Sequence, residues 1–287
     1  MKLLKLLLPA TVILCVVVTI SGSSLTSCNK AAKPDTLTVI KVDTLIKSDT
    51  LVRLDTVYCL KCGLVAYYNF NNGNLNDSSG NGNNITFNNA TPAADRFGNP
   101  NNAYSFNGTS NYMSVPNSPS LNPNSITLFA IFKPNGFYSI QCHGNDILQK
   151  GAYDNENGWY ALRFNDTLDN CSNPVDTAQE FVGGAYGDNS DFGANSVALA
   201  PIPVHTGTWY TVAYTYDGTT SRFYLNGVLV QSRVKADAFT PNTDDLFIGY
   251  DPDAGGEYWL NGVIDELRIY NQALCPGAIA QLSGSVE

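Results

Sequence analysis

Five turn-forming dipeptides, Asn72-Gly73, Asn107-Gly108, Asp217-Gly218, Asn226-Gly227 and Asn261-Gly262, punctuate the sequence. Most stand beside short runs in which apolar and polar residues alternate. Asparagine, aspartate and glycine accept the positive φ that a two-residue hairpin loop demands, so this pattern restricts the chain to antiparallel strands. The runs cover 65–70, 103–106, 112–115, 125–133, 146–150, 159–164, 209–216, 222–225, 228–234, 246–250 and 263–270. Only 276–282 reads as a helical turn. About a dozen short strands and almost no helix predict an all-β fold, a two-sheet antiparallel β-sandwich.

Composition narrows the partners. The chain has 287 residues, 14% of them charged, with 16 Tyr, 13 Phe and 3 Trp, which is too aromatic and too weakly charged for a disordered protein. Net charge is −9, unevenly placed. Residues 29–62 hold six Lys/Arg and four Asp, whereas 63–287 hold eight Lys/Arg and 21 Asp/Glu, so the main body carries −13. Such a surface disfavours nucleic acid and suits neutral ligands or divalent cations.

The chain divides into three parts: 1–27, 28–62 and 63–287. Lys2 and Lys5 precede an apolar run over 6–20, too short to span a membrane comfortably, followed by small residues; this is the pattern of an export signal. Leu25-Thr26-Ser27-Cys28 resembles a bacterial lipoprotein lipobox, which implies cleavage before Cys28 and its lipidation. The expected location is the bacterial cell envelope, lipid-anchored in the outer membrane and surface-exposed. Residues 29–58 form a stalk repeating Asp-Thr-aliphatic at Thr36, Thr44, Thr50 and Thr56. Glycine is absent there, so a stiff tether reaching at most ~100 Å is expected. The repeat also resembles the acceptor motif of a bacterial O-glycosylation system, making those four threonines candidate glycosylation sites.

Three blocks of the main body resemble a known family. They are Gly63-Leu64-Val65-Ala66-Tyr67-Tyr68-Asn69-Phe70 with the following 75–83, then 209–218 with Phe223-Tyr224-Leu225-Asn226-Gly227, and finally Asn261-Gly262-Val263-Ile264-Asp265-Glu266-Leu267-Arg268-Ile269-Tyr270. In that order, and covering about 63–283, they resemble a laminin G-like domain of the concanavalin A-like lectin/glucanase superfamily. The resemblance implies a jelly roll whose first and last strands are neighbours. Stretches 135–145 and 165–208 depart from the family pattern and carry Cys142 and Cys171.

Cys15 leaves with the signal, and an exported domain uses its remaining cysteines for disulfides by default. The adjacency of first and last strands implies that Cys275 lies near Cys59 or Cys62, stapling the domain's ends. Cys142 and Cys171 would close the atypical insertion.

Catalytic signals are weak. The superfamily's glycosidases place carboxylates two apart along one strand, and none of the five Glu sits in such a pattern. Asp265 and Glu266, as strand neighbours, are expected on opposite faces. The domain therefore reads as non-catalytic. The loop 76–83 offers oxygen ligands on a glycine-rich turn, and the resemblance assigns Asp77, Asn81, Asn83 and Asp265 to a structural calcium ion (Ca2+); turn closure through side-chain hydrogen bonds is the competing reading. For ligand binding, Tyr250, Tyr258 and Trp259, with Asp251 and Asp253, form the expected aromatic and polar platform. The leading expectation is a lectin-like module for glycans. An adhesion or scaffold module contacting a cell-envelope protein is the alternative, and a glycoside hydrolase or lyase comes third.

Overall fold

The computed structural model describes residues 58–137, 145–151, 159–166, 179–185, 197–198, 204–234, 240–252 and 258–284. The signal, Cys28, the stalk threonines, Cys142, Cys171 and Asp253 lie outside these. The strands run β1 (Leu64–Tyr68), β2 (Phe87–Asn88), β3 (Thr91–Ala93), β4 (Ala103–Asn107), β5 (Met113–Val115), β6 (Ile126–Pro134), β7 (Asn145–Lys150), β8 (Tyr160–Asp166) and β9 (Gln179–Ala185). They continue as β10 (Val197–Ala198), β11 (Tyr210–Tyr216), β12 (Thr220–Leu225), β13 (Val228–Val234), β14 (Leu246–Ile248), β15 (Tyr250–Asp251), β16 (Tyr258–Trp259) and β17 (Asn261–Tyr270), followed by α1 (Pro276–Gly284).

Two antiparallel sheets make the sandwich. The larger has the order β13-β12-β11-β6-β17-β4-β3 with β1 also on β17, and the smaller β10-β9-β8-β7-β14-β5-β2. The first and last strands pair, Leu64 opposite Tyr270 and Tyr68 opposite Leu267. The β12–β13 hairpin turns at Asn226 (φ 50°) and Gly227 (φ 80°), both in the left-handed region that a two-residue primed turn needs. Asn261-Gly262, by contrast, is no turn. Gly262 lies inside β17, where a Cβ would stand 2.7 Å from the Lys133 carbonyl oxygen, so glycine there serves close strand approach.

Most of β6 is buried on both faces. Leu128, Ala130 and Phe132 enter the core between the sheets, against Leu148, Leu162, Phe164 and Ile248 of the smaller sheet. Phe129 and Ile131 point the other way, into a second cluster closed by Ala278, Ile279 and Leu282 of α1. Covering both faces removes the usual alternation, which is why this stretch reads as one apolar run. Each fully buried side chain of this kind contributes roughly 1.5–3 kcal/mol relative to exposure.

Cys59 and Cys62 are disulfide-bonded to each other, so neither remains to staple the ends to Cys275. A three-residue spacing suffices because Lys61 and Cys59 accept backbone hydrogen bonds in a tight turn just before β1. Cys275 nevertheless packs in the α1 cluster with Tyr58 and Leu60, so the ends do meet.

One consequence of this topology creates a cleft. β1 pairs with residues 267–270 of β17 and β4 with 261–264, both on the same edge. Between them β17 carries a bulge, with the register against β6 shifting between Ile264 and Glu266. The two strands part there and leave Asp265 and Glu266 facing a gap.

Candidate functional site

Strand register assigns the outer face of the smaller sheet residue by residue. Phe87, Ser114, Phe247, Gln149, Ala161 and Gly184 are successive cross-strand partners and share one face. The next row, Met113, Ile248, Leu148 and Leu162, enters the core. The first row therefore faces away from the other sheet.

At the β2 edge of that face the rings form a shelf. Phe87 stacks on Tyr112 at 4.5 Å between centroids, Tyr112 lies 5.2 Å from Tyr250, and Tyr250 stacks on Trp259 at 4.1 Å. Phe247 meets Tyr250 edge-on at 5.8 Å. Phe87 is 42% exposed, Tyr112, Phe247, Tyr250 and Tyr258 are half-buried, and Trp259 is nearly covered. Asn89 sets the Tyr112 backbone in place, its Oδ1 accepting the Tyr112 N–H at 2.7 Å. Of the expected platform, Tyr250 and Trp259 meet here. Phe87 and Phe247 come from β2 and β14 and Tyr112 immediately precedes β5, so segments far apart in sequence supply them.

Beyond the shelf lies a buried ionic cluster. Arg163 Nη2 donates to Gln149 Oε1 at 2.9 Å, and its Nε lies 3.3 Å from Asp146 Oδ1. Arg163 Nη1 reaches Asp251 Oδ2 at 3.9 Å, and Gln149 Nε2 donates to Asp251 Oδ1. Asp146, Gln149 and Asp251 are fully buried. Asp251 is thus not presented to a ligand. In the two-residue strand β15, Tyr250 belongs to the shelf and Asp251 turns down onto the sheet, fastening the β15–β16 hairpin that carries the shelf. Trp159 covers the far side, its ring 5.7 Å from the Arg163 guanidinium. It lies so close to β9 that a Cβ on Gly184 would stand 2.5 Å from the ring.

The loop expected to hold calcium is closed by its own hydrogen bonds. Asp77 Oδ1 accepts from the Tyr67 and Ser79 N–H groups at 3.0 and 2.8 Å, and Oδ2 from Ser79 Oγ and the Asn83 N–H at 2.7 and 3.1 Å. Asn81 and Asn83 direct their amide NH2 groups at the Val65 carbonyl, which Ser79 Oγ also reaches. Asn83 Oδ1 accepts from Ser118 and Ser120. Asp265 makes none of these contacts; Arg96 Nη1 holds its Oδ2 at 2.7 Å. Donors already occupy the Asp77 carboxylate, the Asn83 amide oxygen and Asp265 Oδ2, and Asp265 stands apart from the loop, so the four residues do not converge as a calcium ligand set.

Asp265 belongs instead to the cleft opened by the β17 bulge, a cavity of about 290 Å³ bordered by Asn69, Asn71, Asn72, Asp95, Arg96, Phe97, Asn99, Asn102, Asp265 and Glu266. The bulge corrects the alternation argument: Asp265 and Glu266 both border this cleft. Burial pushes the Asp265 carboxyl above its ordinary range, outweighing the pull of Arg96. Burial acts on Asp95 in the same sense, but hydrogen bonds from Asn99, Phe97 and Asn102 prevail and hold it low. Glu266 Oε1 accepts from Arg268 Nε at 2.5 Å, and the Arg268 guanidinium lies over the Tyr67 ring.

The two antiparallel sheets define a jelly-roll β-sandwich. The profile of the concanavalin A-like lectin/glucanases superfamily matches residues 107–280, and the chain belongs to that superfamily. Among solved structures it is similar to domain 4 of AbnA, a GH43 extracellular arabinanase from Geobacillus stearothermophilus, in complex with arabinotriose. That match has 25% identity and a TM-score of 0.54, covering 77% of this chain and 98% of that one. It also resembles the binding domain of Paraclostridial Mosquitocidal Protein 1, at 15% identity and TM-score 0.57, over 78% of this chain and 52% of that one. The binding domain of botulinum neurotoxin DC, in complex with SialylT, matches at 12% identity and TM-score 0.56, over 80% of this chain and 53% of that one. At such identities the two toxin domains show a shared fold. No curated protein matches the sequence.

Proposed function

We propose that the domain is a non-catalytic, lectin-like module that binds glycans on the aromatic shelf of its smaller sheet. The observation that carries this reading is the row of adjoining, part-open rings Phe87, Tyr112 and Tyr250. Rings of this kind offer flat apolar faces to the C–H faces of sugars, with polar edges for hydroxyls. The arabinanase domain solved with arabinotriose supports the ligand class. The carboxylates beside the shelf support a non-catalytic role there: Asp146 and Asp251 are buried around Arg163 and Gln149, whereas a glycosidase needs a proton donor and a second carboxylate open to the sugar. The sequence further supports display on the cell envelope, through lipidation of Cys28 and the 29–58 stalk.

A glycan array, run with wild type, Phe87→Ala and Tyr250→Ala, tests the reading. Discrete hits that fade in both variants are expected. Hits that persist unchanged in both would remove the shelf from the function.

One observation favours a second reading. β13 is an edge strand of the larger sheet and exposes Val228, Leu229, Val230 and Val234. Apolar side chains on an open edge suit contact with an envelope protein. A blank array together with an envelope protein captured by wild type, and lost on Val228→Lys, would favour that role.

A further inference from the structure

We propose that the cleft at the β17 bulge is a second carbohydrate site, selective for one uncharged sugar residue. The proposal rests on the glycan reading of the domain but concerns a different sheet and different side chains. The cavity, about 290 Å³, is of the size for a single pyranose or furanose ring with its hydroxyls and lies at the lower end of ligand-pocket volumes.

Its lining carries the chemistry of sugar recognition. Asn69, Asn71, Asn72, Asn99 and Asn102 line it, and an asparagine amide carries both donors and an acceptor for vicinal hydroxyls. Some of this capacity is already spent: Asn69 Oδ1 accepts the Asn71 N–H, Asn102 Oδ1 accepts the Asn72 N–H, and Asn99 Nδ2 donates to Asp95. Asn72 is exposed. Phe97 stands at the rim, 52% exposed, with the Arg96 guanidinium 4.6 Å from its ring centroid. A large apolar ring held open beside a polar cavity suits the C–H face of a sugar.

Charge sets the selectivity. Three carboxylates border the cleft, Asp95, Asp265 and Glu266, against one bordering cation, Arg96. Arg96 is committed to Asp265, through both its guanidinium and its backbone N–H. Asp95 is engaged by Asn99, Phe97 and Asn102. A carboxylated sugar would meet negative charge, with the cation already bound. A neutral sugar meets amides and a ring.

The test uses ¹H–¹⁵N spectra of the full chain, titrated with methyl glycosides of arabinose, galactose, glucose, mannose and N-acetylglucosamine, and with glucuronide and sialoside counterparts. At least one neutral glycoside should shift the side-chain amides of Asn71, Asn72 and Asn102 saturably at millimolar concentration. Neither acidic sugar should do so. Phe97→Ala, at an exposed position, should weaken that binding about tenfold while leaving shifts at Tyr250 and Trp259 unchanged. The proposal is overturned if no neutral glycoside moves the cleft amides, if acidic sugars move them equally, or if Phe97→Ala leaves the affinity unaltered. Shifts at the shelf without shifts in the cleft would sink this proposal alone; shifts in the cleft without any at the shelf would sink the shelf reading alone.

Discussion

Gly249 joins β14, which faces the core, to β15, which carries the shelf, and replacing it by alanine probes both at once. Its φ is +78°, and a Cβ there would stand 2.3 Å from Phe106 Cδ1 and 2.5 Å from Cε1. Phe106 is 1% exposed in the main core and has no space into which to retreat. The left-handed backbone costs about 1–2 kcal/mol for a residue with a Cβ. Overpacking against a fixed ring adds about 1–3 kcal/mol. The sum is about 3–4 kcal/mol at mid-range, a large part of a domain's ordinary stability. Gly80→Ala supplies the control. Its φ is +88°, with nothing within 4 Å of the added Cβ, so it carries the backbone cost alone. Urea denaturation of both variants should therefore separate them by about 2 kcal/mol, with m unchanged. Equal destabilisation of the two would refute the packing of Phe106 against the base of the β15–β16 hairpin.

Other outcomes follow from the same geometry. Chelation by EDTA should leave the melting temperature unchanged, since protein donors already satisfy the Asp77 carboxylate and the Asn83 amide oxygen; a drop of several degrees would show that the loop is organised by a cation after all. Asp251→Ala should cost about 3–5 kcal/mol, because it leaves Arg163 with less compensation in a buried site. A loss below about 1 kcal/mol in thermal or urea unfolding would count against the hairpin being fastened there. Burial, opposed by Asp244 and Asp245, brings Lys150 down to about 8 from an ordinary 10.5. The folded state then sheds this proton before the unfolded state does, so stability should rise as pH climbs through 8 towards 10. That rise in urea midpoint should vanish in Lys150→Met; a slope identical in the two proteins would contradict it.

The sequence made the sandwich readable because hairpin chemistry is local. Asn226-Gly227 and Asp217-Gly218 sit at their turns, the latter with Asp217 Oδ1 accepting from the Thr219 and Thr220 N–H groups. Local rules failed where long-range pairing decided the outcome. Gly262 is demanded by the approach of Lys133 on another strand, so its dipeptide mimics a turn signal. The bulge at Asp265 arises where two strands share one edge of β17, and it cancels the alternation expected of Asp265 and Glu266. The shelf was half legible: Tyr250 and Trp259 flank one loop, whereas Phe87, Tyr112 and Phe247 join them only through register. Calcium binding is not legible either way, because oxygen-rich sequence does not reveal whether those oxygens face a cavity or the chain's own N–H groups.

The proposed function has glycan held by the rings of the smaller sheet. Its most direct test is calorimetric titration of the strongest neutral array ligand into wild type and Tyr250→Ala, both verified as folded by their denaturation midpoints. Loss of one stacking ring should weaken binding at the shelf about tenfold. An affinity and heat unchanged by Tyr250→Ala would contradict the account and move the binding site off this face.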